Sequence, residues 1–264
     1  MTKMNWDESH ALDKLAQLSI KTGVALQPGQ DLLITAPMEA APLVRRLAHH
    51  AYKAGAGLVT PFYTDPEITL ARYQHAAPES FDKTTDWLFE GMAAAFDKNT
   101  ARLAVVGEDP MLLSGQNPEY VGRANQAMSK ASSPLRERIT RFDINWNIIA
   151  WPGLQWAKLV FPQMSDADAQ IALAEAIFNA SRVNTSNPNE AWAVHNKNLR
   201  ARTEWINTKN FAALHFYGEG TDLTVGLADG HEWMGGASTA RNGVTCTPNI
   251  PSDEVFTTPH ALKV

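Results

Sequence analysis

Several signatures are missing from this 264-residue chain, and each absence removes a class of function. Cys246 is the single cysteine, so no intrachain disulfide framework can form and a reducing, cytoplasmic setting is expected. No run approaches the ~18 apolar residues of a membrane span. Residues 1–8 are polar and acidic, without the apolar core of a secretion signal. A net charge of -5 with scattered basic residues such as Arg45, Arg46 and Lys53 offers nucleic acid no phosphate-tracking stripe. Ile34 runs into Thr35-Ala36-Pro37-Met38-Glu39, so no glycine-rich turn is present to cradle a dinucleotide or phosphate. Gly55-Ala56-Gly57 precedes a strand and reads as a helix stop. No GxSxG elbow occurs, and nothing near Cys246 suggests a nucleophile.

What is present is an ordinary globular composition, 44% hydrophobic and 19% charged. Short apolar runs at 31–36, 57–63, 102–107 and 147–151 read as strands, with Pro61 marking an edge or bulge. Helical spacing occupies 40–54, 66–75, 84–97, 119–141 (interrupted at Ser132-Ser133-Pro134) and 166–182, the last capped by Ser165. Strands separated by helices predict an open, mostly parallel α/β sheet with flanking helices.

The pattern changes after Asn184-Thr185-Ser186-Asn187-Pro188-Asn189. One helix follows from about Glu190 to Thr208, then alternating runs at 213–217, 221–227 and 244–247 separated by Gly/Asp turns. The expected division is an N-terminal α/β domain over 1–186 and an incomplete, β-rich domain over 187–264. Strand edges such as Leu223 to Leu227 would lack partners and favour self-association.

The candidate chemistry is sparse. His231-Glu232 lacks the second histidine of a zincin, because the i+4 position is Gly235, and the pair is expected on a solvated hairpin. His49, His50 and His195 fall on amphipathic helices, where surface or boundary positions are the ordinary reading. Asp109-Pro110 and Trp151-Pro152-Gly153 follow strands at the ligand-binding end of a parallel sheet, although turn capping suffices to explain them. Asp253 and Glu254 lie in an extended run, so their side chains point to opposite faces. One carboxylate can then face a site while the other caps a turn or meets solvent.

Four stretches together carry a resemblance. They are Asn147-Ile148-Ile149-Ala150-Trp151-Pro152 with Gln155 through Pro162; Gly220 through Leu227; His231-Glu232-Trp233-Met234-Gly235-Gly236; and Asn249 through Pro259. With them the chain resembles the aminopeptidase T / aminopeptidase S family of metal-dependent exopeptidases along nearly its whole length. Its last stretch is similar to that family's N-x-P-[ST]-E-E-V-F-T segment.

The resemblance implies a C-terminal metal domain holding two divalent ions (cobalt, zinc or manganese). It also implies water activated by those ions, peptide substrates cleaved at the first bond, and a homodimer in the full-length form. The segment's second glutamate is a metal ligand in the family and maps onto Glu254, whereas the first is replaced here by Asp253. Another glutamate, histidines, an aspartate and a catalytic tyrosine lie downstream in the family, so catalytic residues are left unassigned and His260 is no substitute. On this reading the chain is expected to be C-terminally truncated and inactive by itself. The alternative is a non-catalytic α/β scaffold or binding module.

Overall fold

The computed structural model describes residues 10–260. Four strands, β1 (Leu32–Pro37), β2 (Val59–Thr64), β3 (Ala101–Val106) and β4 (Trp146–Ala150), pair in parallel in the order β2-β1-β3-β4. Ile34 stands opposite Leu103, and Val105 opposite Ile149. β1 is apolar and buried almost throughout, as a strand covered on both faces must be. Its alternation divides the core: Leu32, Ile34 and Ala36 join one apolar cluster, and Leu33 joins another on the opposite face.

The larger cluster receives Leu12 and Leu15 from α1 (His10–Leu18) and Leu43 and Leu47 from α2 (Ala41–Lys53). The smaller is covered by Met92 and Phe96 of α4 (Asp86–Asp97), with Leu135 and Ile139 of α6 (Ser133–Thr140) packed against it. Arg138 of α6 forks onto Asp97 at 2.7 Å through Nε and Nη2, which ties these helices together and holds the Asp97 carboxyl below its ordinary range.

Helix starts follow local chemistry. Asp65, Asn117 and Asn187 accept backbone N–H groups at the first turns of α3 (Pro66–His75), α5 (Pro118–Ala131) and α9 (Pro188–Asn207). In all three a proline follows the cap, where its missing N–H costs nothing. Ser165 caps α8 (Asp166–Ala180) as the sequence predicts. Pro61 lies on β2, an edge strand of the sheet, in agreement with its lack of a donor. A short helix, α7 (Leu154–Val160), fills the Gln155–Pro162 stretch and was not expected.

Beyond α9, β5 (Ala213–Gly218) and β6 (Thr221–Gly226) form an exposed antiparallel pair, and β7 (Ser238–Thr239) pairs with β8 (Thr245–Cys246). β9 (Asn249–Ile250) does something else. It adds a fifth, parallel strand to the first sheet, with Ile148 opposite Asn249 and Ile149 opposite Ile250. Ile250 is buried in the main core. Residues expected beyond a boundary at 186 thus complete an edge of the N-terminal sheet. The buried Asn147 helps hold them there, donating from Nδ2 to Thr247 O at 2.8 Å, while Thr247 N–H donates to Gly23 O at 2.8 Å.

Candidate functional site

At the C-terminal end of the sheet the chain leaves β1 and β3 in opposite directions, which makes a switch point there. The Trp151-Pro152-Gly153 strap crosses this end above Gly107, with Trp151 N–H donating to Val106 O at 2.7 Å. Glu39 faces this strap beside Trp151, Gly153 and Leu154, at the start of α7. Desolvation pushes its carboxyl above the ordinary value against the lowering influence of Leu154 and Trp151, and nearby Glu108 adds to the rise. A raised folded-state value means stability is fully present below the unfolded pKa and is lost as pH rises through the folded one. Glu39→Gln keeps an acceptor and removes the charge. Its melting temperature should exceed that of the unsubstituted protein near pH 7, by an increment that shrinks to zero below about pH 4. Equal melting temperatures across that range would contradict this. Asp109 serves its turn by accepting Met111 N–H at 2.8 Å.

The 249–260 run is where the four quoted stretches meet. Residues 148–149 pair with β9. Gly226 O accepts His260 N–H at 2.7 Å, and Leu227 forms an antiparallel bridge with Pro259. Met234 and Phe256 exchange two hydrogen bonds of 2.8 Å, and Thr257 Oγ1 donates to Glu232 O at 2.6 Å. The hairpin expected around His231-Glu232 is therefore replaced. The chain turns at Gly230 (φ 71°), and the 227–234 stretch pairs with 256–259 rather than with itself. Its partner is distant in sequence, which local turn signals do not show. His231 Nδ1 lies 2.9 Å from Ala228 O. Asn207 secures the stretch from α9, donating to Trp233 O and accepting Trp233 N–H.

The two carboxylates of this run have different environments. Asp253 Oδ1 accepts from Arg182 Nη2 at 2.6 Å and lies 3.2 Å from His195 Nε2. His195 Nε2 also lies 2.7 Å from Ser252 O, and its Nδ1 is 3.2 Å from Arg182 Nη2. A guanidinium can only donate, so Nδ1 is the acceptor and the proton sits on Nε2, facing the Ser252 carbonyl. Glu254 is exposed, and its Oε2 accepts Asp253 N–H at 3.0 Å. A cavity of about 440 Å³ opens beside this run, lined by Phe142, Trp146, Met234, Ser252 and Phe256.

The other sequence candidates lie apart. His50 of α2 bonds Asp13 at 2.9 Å. Cys246 is buried, and burial pushes its thiol up to about 11, which leaves it protonated near neutral pH. Arg182 is a site residue that sequence reasoning missed, and His195, read there as a surface or boundary histidine, is the other. They are 13 positions apart and Arg182 reaches Asp253 across 71 positions, so no local motif could have joined them.

An exposed carboxylate such as Glu254 has the hard oxygen donors a divalent cation takes, and so fits the part of one ligand. Catalytic sites ordinarily use three or more protein ligands. Among the described residues no group of three or more His, Cys, Asp or Glu could hold a metal ion, so they do not complete a centre.

Comparison with known proteins gives one answer. The family model described as thermophilic metalloprotease (M29) matches residues 8–264. Aminopeptidase T of Thermus thermophilus is 47% identical over 253 residues, covering 96% of this chain and 62% of that protein. Aminopeptidase 2 of Geobacillus stearothermophilus is 37% identical over 255 residues, covering 97% and 61%. The solved structure of wild-type AmpT from Thermus thermophilus matches with a TM-score of 0.89 over 95% of this chain and 62% of that one. The chain thus spans about three-fifths of the length of the curated relatives it matches. With a family model spanning nearly all its residues and a fold shared at 47% identity, the chain belongs to the thermophilic metalloprotease family (M29).

Proposed function

We propose that the whole protein is a metal-dependent aminopeptidase that removes N-terminal residues from peptides, with Glu254 as one ligand of two divalent ions (cobalt, zinc or manganese). The observation that carries this reading is the convergence of three sequence-separated, family-like stretches on the fourth, the 249–260 run that bears Glu254. The relatives' names as aminopeptidases support the same chemistry. Divalent ions, when bound, supply Lewis acidity and an ionised water at neutral pH. This chain's part is to present the Glu254 carboxylate on a run fixed to the sheet edge through β9 and to the 231–236 stretch through the Met234–Phe256 bridge. The division into an α/β domain up to 186 and a metal domain from 187 is kept as part of the proposal, with β9 as the strand joining them. A homodimer and a cytoplasmic setting belong to the same reading. Among the described residues no helix is long and apolar enough to cross a membrane.

The test is turnover of an aminoacyl anilide by the full-length protein. Chelator should abolish it, divalent metal should restore it, and Glu254→Ala should lose it with the fold intact. Chelator-resistant turnover, or an unaffected Glu254→Ala variant, would remove this reading. The 264-residue chain alone is expected to turn over poorly, because its described residues contribute a single ligand; robust chelator-sensitive activity from it would contradict that part.

A further inference from the structure

Asp253 makes contacts that its exposure alone would not require. Arg182 stands just after α8 with φ 60°, a left-handed conformation that is uncommon for a residue bearing a Cβ. From there its guanidinium lies over the Trp192 ring, 5.1 Å from the centroid, and reaches both His195 and Asp253. His195 meets the same indole edge to face at 5.2 Å. Trp192 is fully buried and donates from Nε1 to Ser181 O at 2.8 Å, so the platform beneath the Arg182 guanidinium and the His195 ring is rigid. His195 then holds a backbone carbonyl, that of Ser252, as well as approaching the Asp253 side chain. Arg182, just after α8, and His195 of α9 therefore hold two successive residues, Ser252 and Asp253, immediately before Glu254.

We propose that Arg182 and His195 are positioning residues that set the direction of Glu254. The inference rests on the reading of Glu254 as a metal ligand. With Ser252 and Asp253 held in this way and the Glu254 carboxylate accepting the Asp253 N–H at 3.0 Å, the backbone from which Glu254 projects is fixed on its N-terminal side. The Ser252 carbonyl bond removes the backbone rotation that would otherwise let the run swing. It also accounts for aspartate at position 253. That side chain needs only to reach the guanidinium, and at 2.6 Å it does.

The experiment uses the full-length protein, with Co²⁺ as the probe, read by titration of its visible absorption and by hydrogen exchange of residues 249–256. His195→Ala and Arg182→Ala should weaken cobalt binding by about 10- to 100-fold, the range seen when groups behind a ligand are removed. Exchange of the 252–256 amides should rise while unfolding stays cooperative. His195→Gln, which returns an N–H toward Ser252 O, should recover most of the affinity. Asp253→Asn changes an exposed side chain and keeps an acceptor. It should shift cobalt affinity in the same direction by a smaller factor, and it carries the test should either alanine variant fail to fold. Wild-type cobalt affinity, spectrum and exchange in the folded variants would overturn the proposal, and a simultaneous loss of cobalt by Glu254→Gln would show that the ligand reading survives it. If Glu254→Gln binds cobalt like the unsubstituted protein, the ligand reading falls and takes the proposal with it.

Discussion

Gly153→Ala is expected to destabilise the fold by about 3 kcal/mol or more, in the range reached only when packed backbone must move. A Cβ built at Gly153 would lie 1.9 Å from Gly107 O and 2.8 Å from Glu39 Oε1. The first of these is a main-chain atom at the end of β3 and cannot swing aside. The reciprocal position is equally closed, since a Cβ on Gly107 would meet Trp151 O at 2.1 Å. Gly153 has φ -58° and ψ 141°, which any residue adopts, so the effect is steric rather than conformational. Gly91 provides the control. It lies exposed in α4 with nothing within 4 Å of a built Cβ, and alanine there should be neutral or stabilising by up to ~1 kcal/mol. Urea unfolding of the two variants should therefore move in opposite directions. A Gly153→Ala variant within about 0.5 kcal/mol of the unsubstituted protein would show that the strap is looser than the structure has it.

That strap marks the limit of what the sequence discloses. β1 and β3 are legible as continuous apolar runs because both faces are covered, and α8 is legible because its cap and periodicity agree. Pro61 narrows its strand to an edge or a bulge, and the structure has it at an edge. β9 is not legible: two residues between Pro248 and Pro251 carry no period, and their pairing with β4 depends on Asn147 and Thr247, about a hundred positions apart. Of the site, the run containing Glu254 could be found by resemblance, and alternation separates it from Asp253. What resemblance could not supply is contact. The pairing of 227–234 with 256–259 and the grip of Arg182 and His195 on Asp253 arise from three-dimensional packing between separate elements, for which a single sequence holds no local signal.

Trp192→Ala should be the most damaging substitution on the helical side, costing about 3–5 kcal/mol by the usual scale for a buried indole. The ring is wholly inaccessible and belongs to the main core, so its removal leaves a cavity under the junction of α8 and α9. Its Nε1 also satisfies Ser181 O at 2.8 Å, a buried carbonyl that would lose this donor. Trp192→Phe separates the two contributions. It keeps most of the apolar volume and loses the donor, so about 1–3 kcal/mol is expected. The functional consequence follows the same division. Arg182 and His195 both rest on this ring, and phenylalanine still offers them a face and an edge, whereas alanine offers neither. At a temperature where both variants remain folded, exchange at 252–256 should rise strongly in Trp192→Ala and weakly in Trp192→Phe. Equal stabilities for the two would place the energy in the hydrogen bond rather than in packing. Unchanged exchange in a folded Trp192→Ala would mean that Arg182 and His195 hold Asp253 without the indole platform.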